Sequence, residues 1–322
     1  MNRYNPEYFT KAKHKPMTIE FLTKAIERKA VLEAKVESCD IDNTLTLKLG
    51  KDILGKVSFS DLEYSVNGKD VKPASATSKV GRYIKFIPTK IEKDEASEKY
   101  IVTCSRKDIQ QECYNNYISK LVPGDIIDAT ILKLVSYGAF CDIGCGIVAL
   151  LPTNNISVTH IVDPEYFLKG IHSIKAVVSS NTENGVVLSH KELLGTWKEE
   201  TDKLSSGMVV TGTVLSVTDY GVFVRLSQNL SGLAETPDMV LNVKDKVSVR
   251  VTGIKPDSMK VKLLIISKLD DNTDEGMTTS FDYSITQGHI DEWVYSTPTA
   301  KRQIGTVFEN NNEEFKDKIE IK

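Results

Sequence analysis

The chain contains an internal repeat with a fixed spacing of 83 residues, and this feature constrains the fold more than any other. The stretch 124–130, Gly-Asp-Ile-Ile-Asp-Ala-Thr, aligns with 207–213, Gly-Met-Val-Val-Thr-Gly-Thr. In the same register, Ser-Tyr-Gly-Ala-Phe at 136–140 aligns with Asp-Tyr-Gly-Val-Phe at 219–223. A repeat of this kind indicates that one structural unit occurs more than once in the chain.

Each repeated unit has the pattern of short β-strands. From Val209 to Val217 apolar and β-branched residues alternate with period two, and further valines fill the opposite face, which suits a small, strongly curled barrel. Two later β-rich runs, 246–254 and 259–267, supply the last strands of a five-stranded unit within residues 205–268. We therefore predict an all-β chain of tandem five-stranded OB-type barrels linked by short helices.

A weaker third copy of the unit lies upstream. Residues 42–49 align with 219–226 of the last unit at a spacing of 177, and strand-like runs follow at 82–91 and 99–105. This copy has lost both aromatics of the Tyr-Gly-x-Phe motif, because Asn43 and Thr46 stand in their places. We expect it either to be purely structural or to bind a protein.

The predicted units differ strongly in charge, although the whole chain carries a net charge of only −3. The divisions are a basic N-terminal segment with a leading helix (1–29), a degenerate barrel (30–107), a helical linker (108–121), a barrel (122–194), a second helical linker (195–204), a barrel (205–268) and an acidic C-terminal tail (269–322). The last barrel is net positive, whereas the middle barrel and the tail are net negative. Local rather than total charge decides where an anion binds.

Composition excludes several classes of protein. The five cysteines are scattered, so we expect no disulfide framework, and the single close pair, Cys141 and Cys145, has no second pair to complete a metal site. The sequence carries no phosphate-binding loop, nucleophile elbow or zinc-protease motif. It shows neither a signal peptide nor an apolar run that could span a membrane. We expect a cytoplasmic protein that is not an enzyme, holds no metal or cofactor and has no membrane partner.

Four linked motifs resemble the S1 domain, the RNA-binding barrel named after ribosomal protein S1. They are Gly-Asp-x-x-x-Ala/Gly-Thr, Tyr-Gly-x-Phe, a Gly-Leu or Ala-Leu step about eleven residues further on, and a closing Leu-Ser-x-Lys. The resemblance covers residues 30–268 and implies a barrel that binds single-stranded RNA on one face, with both aromatics stacked on bases. Here those aromatics are Tyr137 and Phe140 in the middle unit, and Tyr220 and Phe223 in the last unit.

The last unit is predicted to be the principal RNA binder because its charges favour phosphate. The basic residues predicted to contact RNA are Arg225, Arg250, Lys255, Lys260 and Lys262. The middle unit has Asp142 where the last unit has Arg225. Both units depart from the family pattern, because Pro152 and Glu235 stand where the family commonly has a histidine.

Several alternatives stay open at this stage. The aromatics of Tyr-Gly-x-Phe could be barrel core rather than a binding face. The first unit could dock on the small ribosomal subunit, as leading repeats of the ribosomal family do. The chain as a whole could capture mRNA in translation, regulate RNA away from the ribosome, or serve as a protein-interaction scaffold. In the tail, the apolar-aromatic patch 289–295 is predicted to dock on a barrel.

Overall fold

The computed structural model describes residues 3–7, 16–65, 71–95, 97–236, 238–269 and 280–308. Within these ranges the chain forms three closed five-stranded barrels in tandem. The prediction of tandem OB-type barrels linked by short helices is therefore confirmed. No helix in the described part of the chain is long and apolar enough to cross a membrane.

The strands follow one another in the chain order that the repeat predicts. The first barrel comprises β1 (Leu32–Cys39), β2 (Leu45–Lys48), β3 (Ile53–Val57), β4 (Tyr83–Lys93) and β5 (Tyr100–Ser105). The second comprises β6 (Ile126–Val135), β7 (Gly138–Gly144), β8 (Ile147–Pro152), β9 (Ser173–Thr182) and β10 (Gly185–Ser189). The third comprises β11 (Val209–Thr218), β12 (Gly221–Arg225), β13 (Ser231–Ala234), β14 (Lys246–Lys255) and β15 (Lys260–Lys268). A small sheet of β16 (Glu292–Val294) and β17 (Gly305–Val307) follows.

Short helices lead into the barrels or connect their strands. They are α1 (Ile19–Glu27), α2 (Pro73–Thr77), α3 (Arg106–Asn116), α4 (Pro164–Leu168) and α5 (Trp197–Thr201). Local signals explain where three of them begin, because hydroxyl side chains of Thr18, Ser105 and Thr196 accept backbone hydrogen bonds at the N-termini of α1, α3 and α5. In the first and third barrels the strand order is 1-2-3-5-4, so the last two strands close the sheet against the first and third.

The hydrogen-bond register confirms that the first barrel is a copy of the third. Leu47 pairs with Gly55 between β2 and β3, and Val224 pairs with Gly232 between β12 and β13. These two pairs are separated by the spacing of 177 that the alignment predicts. A bulge also interrupts the first strand at corresponding places in both barrels, which increases the local bend of the strand.

The glycine of each Tyr-Gly-x-Phe motif lies against the backbone of a neighbouring strand. A Cβ at Gly138 would overlap the carbonyl oxygen of Leu151, and one at Gly221 would overlap that of Ala234. Both glycines have a φ of +151°, which L side chains rarely adopt. The motif therefore needs glycine at this turn, where the tyrosine precedes the strand and the phenylalanine lies within it.

The chain forms two compact units. Unit 1 comprises Met1–Leu121 together with Asp128–Thr130 and Asp142–Ala149, and the remaining residues form unit 2.

In unit 1, a buried ion-pair cluster attaches the N-terminal segment 3–7. Arg106 is 1% exposed and donates hydrogen bonds of 3.0 Å from Nε and Nη2 to the two carboxylate oxygens of Glu7. Asp142 is fully buried and accepts hydrogen bonds from the backbone N–H groups of Glu7, Gly144 and Gly146 at 2.6, 2.8 and 2.9 Å. Burial, together with the nearby charge of Glu7, raises the pKa of Asp142 to about 7.

In unit 2, residues 280–308 pack closely on the third barrel. Ile290, Trp293, Tyr295 and Phe308 join the buried core of that barrel. The hydroxyl of Tyr295 donates a 2.6 Å hydrogen bond to the carbonyl of Asn229. The patch 289–295 that the sequence predicts to dock on a barrel therefore does so, and contributes core side chains.

A buried histidine anchors the beginning of this C-terminal segment. The ring of His190 lies 4.3 Å from that of Phe281 between centroids, and its two nitrogens contact the Ile156 carbonyl and the Tyr283 hydroxyl at 3.1 and 3.2 Å. Burial lowers the pKa of His190 to about 4. The imidazole is therefore neutral, with Nδ1–H donating to the carbonyl and Nε2 accepting from the hydroxyl.

Candidate nucleic-acid interface

The second and third barrels carry the same exposed aromatic pair. The rings of Tyr137 and Phe140 are 6.2 Å apart at an interplanar angle of 89°, and those of Tyr220 and Phe223 are 6.1 Å apart at 88°. The tyrosines are 58% and 70% exposed, and both phenylalanines are half-buried. The alternative that these aromatics form the barrel core is therefore excluded, and each pair offers an aromatic surface to solvent.

In the third barrel, a row of side chains crosses three strands from the aromatic pair to a lysine. Phe223 on β12 lies opposite Leu233 on β13, and Leu233 lies opposite Lys262 on β15. Directly paired residues project from the same face of a sheet, so ring, leucine and ammonium form one continuous strip. Leu233 belongs to the motif that marks the repeat, yet the sequence did not identify it as part of a face.

Two further lysines lie near the turn of the β14–β15 hairpin, which also carries Lys262. Lys255 and Lys260 are directly paired between β14 and β15, and both are exposed, as is Lys262. Like charges placed directly opposite each other repel, and an anion bound between them would offset that repulsion. The structure therefore brings all three lysines of the prediction together in one hairpin.

Arg250 lies in a different row of the same barrel. It is exposed on β14, where it is paired with Val209 on one side and Leu264 on the other, and these neighbours are themselves about half exposed. The structure does not place it in the row of Phe223 and Lys262, and its contact with RNA stays a prediction.

Arg225 lies two residues beyond Phe223 on β12 and so on the same side of the strand. It is half-buried, and the carbon of its guanidinium lies 4.8 Å from the centroid of the Phe167 ring. Burial lowers the pKa of Arg225, and Tyr166 partly opposes this, but a guanidinium stays protonated in proteins. Neither Phe167, which lies in α4, nor its contact with Arg225 has a signal in the sequence.

The second barrel has no basic residue at its counterparts of Arg225 and of the Lys255–Lys260 pair. Its counterpart of Arg225 is Asp142, which is buried in unit 1. The turn between β9 and β10, 183–184, is Glu-Asn, whereas the third barrel has its lysine pair at the equivalent hairpin end. In the first barrel, Asn43 and Thr46 occupy the aromatic positions and provide no ring for stacking.

Three tandem five-stranded barrels, two of them with an exposed Tyr-Gly-x-Phe pair, make this a chain of OB-type barrels that resembles S1 proteins. Two of its curated relatives carry the name of a ribosomal protein. It is 34% identical over 158 residues to "Small ribosomal subunit protein bS1" of Leuconostoc lactis, covering 45% of this chain and 37% of that protein. It is 28% identical over 213 residues to the protein of the same name from Staphylococcus epidermidis, covering 62% of this chain and 52% of that protein.

The chain thus spans about half the length, or less, of these two curated relatives. No protein-family model matches it. Among solved structures, a multidomain protein with nucleic acid binding domains from Streptococcus pneumoniae is 11% identical over 74% of each chain, with a TM-score of 0.23.

Proposed function

We propose that the chain binds single-stranded RNA through the aromatic faces of its second and third barrels, with the third barrel as the stronger site. The task that this binding serves best is capture of unstructured mRNA in translation, in the cytoplasm and without catalysis. The curated relatives are named as proteins of the small ribosomal subunit, which supports this assignment.

The observation that carries the proposal is the strip of the third barrel from Tyr220 and Phe223 through Leu233 to Lys262. Every base has a flat face that can stack on an exposed ring, and each stacked base contributes about 1–3 kcal/mol of binding free energy. The lysines supply the attraction for phosphate, which salt weakens. This combination binds single strands with little dependence on sequence.

The test is fluorescence anisotropy of a labelled, unstructured RNA of twelve nucleotides, titrated with the intact chain at two salt concentrations. Tyr220→Ala/Phe223→Ala should weaken binding by about 2 kcal/mol or more, because it removes a stacking platform. Tyr137→Ala/Phe140→Ala should weaken it by less than about 1 kcal/mol, because the second barrel has no counterpart of Arg225 or of the lysine hairpin to hold the strand on its rings.

Phe21→Ala is the matched control, since Phe21 is an exposed aromatic of α1 outside either face. Binding that is absent in the wild type at low salt would refute RNA capture. Equal losses for the two double variants would refute the ranking of the barrels.

The first barrel supports a second, complementary function, contact with the small ribosomal subunit. It keeps the fold but not the rings, so RNA stacking does not explain why it is retained. The intact chain carrying Tyr220→Ala/Phe223→Ala should still co-sediment with small subunits if the first barrel provides that contact. Loss of co-sedimentation in parallel with RNA binding would instead favour a regulator that acts away from the ribosome. Aromatic substitutions that change neither activity would favour a protein-interaction scaffold.

A further inference from the structure

A cavity of about 240 Å³ opens beside Arg225 in unit 2. Its lining includes Thr211 and Thr213 of β11, Lys246 at the start of β14, and the rings of Phe167 and Phe281. The lining therefore combines two cationic side chains, hydroxyl groups and aromatic surface. We refer to this space as the Arg225 cavity.

Within the part of the chain that the structure describes, the guanidinium of Arg225 has no hydrogen-bond acceptor and no ion-pair partner. Its carbon lies over the ring of Phe167 instead. Asp163, which lines a neighbouring pocket together with Arg225, already has a partner, because it forms a 2.8 Å ion pair with Lys244. The nitrogens of Arg225 are not among the buried unpaired atoms of the described residues, so its N–H donors face solvent and are available to an anion.

The equivalent place in unit 1 shows what such a position can hold. Asp142, the counterpart of Arg225 at the 83-residue spacing, is covered by the segment 3–7 and accepts hydrogen bonds from three backbone amides. The residues 128–130 and 142–145 are grouped with that segment in unit 1. Their counterparts, 211–213 and 225–228, line the Arg225 cavity instead. At the position where segment 3–7 covers Asp142, the third barrel thus has an open cavity beside Arg225.

We propose that the Arg225 cavity binds a phosphate group of the RNA strand that stacks on Tyr220 and Phe223. A planar guanidinium donates two parallel hydrogen bonds to phosphate, and the threonine hydroxyls add further donors. Arg225 lies two strand residues from Phe223, a distance of about 7 Å, on the same side of β12. A strand of RNA that leaves the aromatic pair in this direction meets the cavity next. This inference rests on the proposed RNA binding and extends its path.

Two variants of the intact chain test the cavity from opposite directions. Arg225→Gln removes the charge and keeps the length of the side chain. Thr211→Glu leaves Arg225 in place and introduces a competing carboxylate at an exposed strand position that lines the cavity. Each should weaken binding of the twelve-nucleotide RNA about tenfold and reduce the slope of log Kobs against log salt by about 0.7, the value of one phosphate contact on a single strand.

The controls change the same charges away from the cavity. Arg28→Gln alters an exposed arginine of unit 1, and Thr252→Glu adds a carboxylate at an exposed position of β14 outside the cavity lining. Neither should reduce the slope as the cavity variants do. Thermal unfolding of every variant verifies that the fold persists, and Thr211→Glu keeps the test decisive if Arg225→Gln is unstable.

Inorganic phosphate and 5′-AMP, titrated separately and followed by ³¹P NMR, distinguish the sources of the phosphate. Weak binding of both and a changed RNA slope support the proposal. Tight binding of 5′-AMP that Arg225→Gln abolishes, with an unchanged RNA slope, would overturn it in favour of a free-nucleotide site. If the aromatic variants lose RNA while both cavity variants retain the wild-type slope, the cavity inference fails and RNA stacking stands. If the wild type binds no RNA, the proposed function fails, and this inference fails with it.

Discussion

The second and third barrels have the same motifs in the same order, including the turn glycine and the aromatic pair. At one equivalent strand position, however, they differ in the charge of the side chain and in its burial. Asp142 is fully buried and tied to the N-terminal segment, whereas Arg225 is half-buried and borders a cavity. The residues that directly follow the last strands of the first and second barrels, Arg106 and His190, also differ in their surroundings. Arg106 is buried with carboxylates, and His190 is buried neutral among aromatic rings.

The comparison shows how a repeated fold is specialised without changing its backbone. A carboxylate at the repeated position can accept amides from the chain itself, so it suits internal attachment. A guanidinium has only donors and attracts an anion, so it suits an external ligand. The charge of one side chain therefore distinguishes a barrel face that packs against another segment of the chain from a face that is available to an external ligand.

The largest expected difference is in stability. Arg106→Met should lower the free energy of unfolding of unit 1 by about 3–5 kcal/mol, because it removes the buried cation that pairs with the carboxylates of Glu7 and Glu63. Arg225→Met should cost unit 2 about 1 kcal/mol or less, since it removes one contact of a cation with a ring. Hydrogen exchange of peptides covering 100–116 and 220–234 measures the two units separately. If the two substitutions lowered the free energy of unfolding of their units equally, the proposed difference between Arg106 and Arg225 would be wrong.

The two units should respond to acid in opposite directions. The pKa of His190 is about 4 in the fold and about 6.5 in an unfolded chain, so its contribution is complete above pH 6.5 and is lost as pH falls towards 4. Lowering the pH from 7 to 5 should therefore destabilise unit 2 by about 2 kcal/mol. Exchange of the amides of Lys175 and Ser284, which bond to Tyr283 and Leu193, reports this change.

In unit 1 the sign is reversed. The pKa of Asp142 is raised to about 7, so its contribution is present at low pH and is lost as pH rises through that value. Acidification from pH 7 to 5 should protect the amides of Gly144 and Gly146 rather than expose them. His190→Gln and Asp142→Asn are the matched variants, and each should flatten the pH dependence of its own unit. A slope that survives both substitutions would assign the effect to other groups.

The smallest expected effect concerns Glu235, which stands where the S1 family commonly has a histidine. It is exposed and follows Ala234, the partner of Val222, so its charge lies near the aromatic pair. Glu235→Gln should strengthen RNA binding about two- to threefold at low salt by removing a repulsion of phosphate. Glu27→Gln, at the exposed end of α1, is the control and should change nothing. Weaker binding would show that the Glu235 carboxylate itself contacts the RNA.

The repeated motifs predicted most of the fold because they are local. Period-two strands, the Tyr-Gly-x-Phe turn and the register of 83 and 177 residues all depend on neighbours in sequence or on an identical copy. The repeat alone did not decide whether the aromatics were core or exposed; the resemblance to the S1 domain implied exposure, but nothing in the sequence indicated the row that joins Phe223 to Lys262. That row depends on pairing between strands that are not adjacent in sequence.

The contacts that the sequence could not predict join residues far apart in the chain. Arg106 meets Glu7 across 99 residues, and His190 meets Tyr283 across 93. An isolated Arg or His after a closing serine has no local pattern that distinguishes burial from exposure. The same holds for Phe167. Its contact with Arg225, which borders the cavity, joins residues that are distant in the sequence and could not be predicted from either of them.

The segment 280–308 has a consequence for the order in which the protein can be made. Unit 1 uses residues up to Ala149, but the third barrel lacks Trp293, Tyr295 and Phe308 in its core until the end of that segment has been synthesised. At about 5–20 residues per second, translation from Ala149 to Phe308 takes roughly 10–30 seconds. During that interval unit 1 can already be folded while the apolar core of the third barrel still awaits its last side chains. A ribosome that stalls after Lys268 would therefore display a barrel that is complete in its strands and incomplete in its interior.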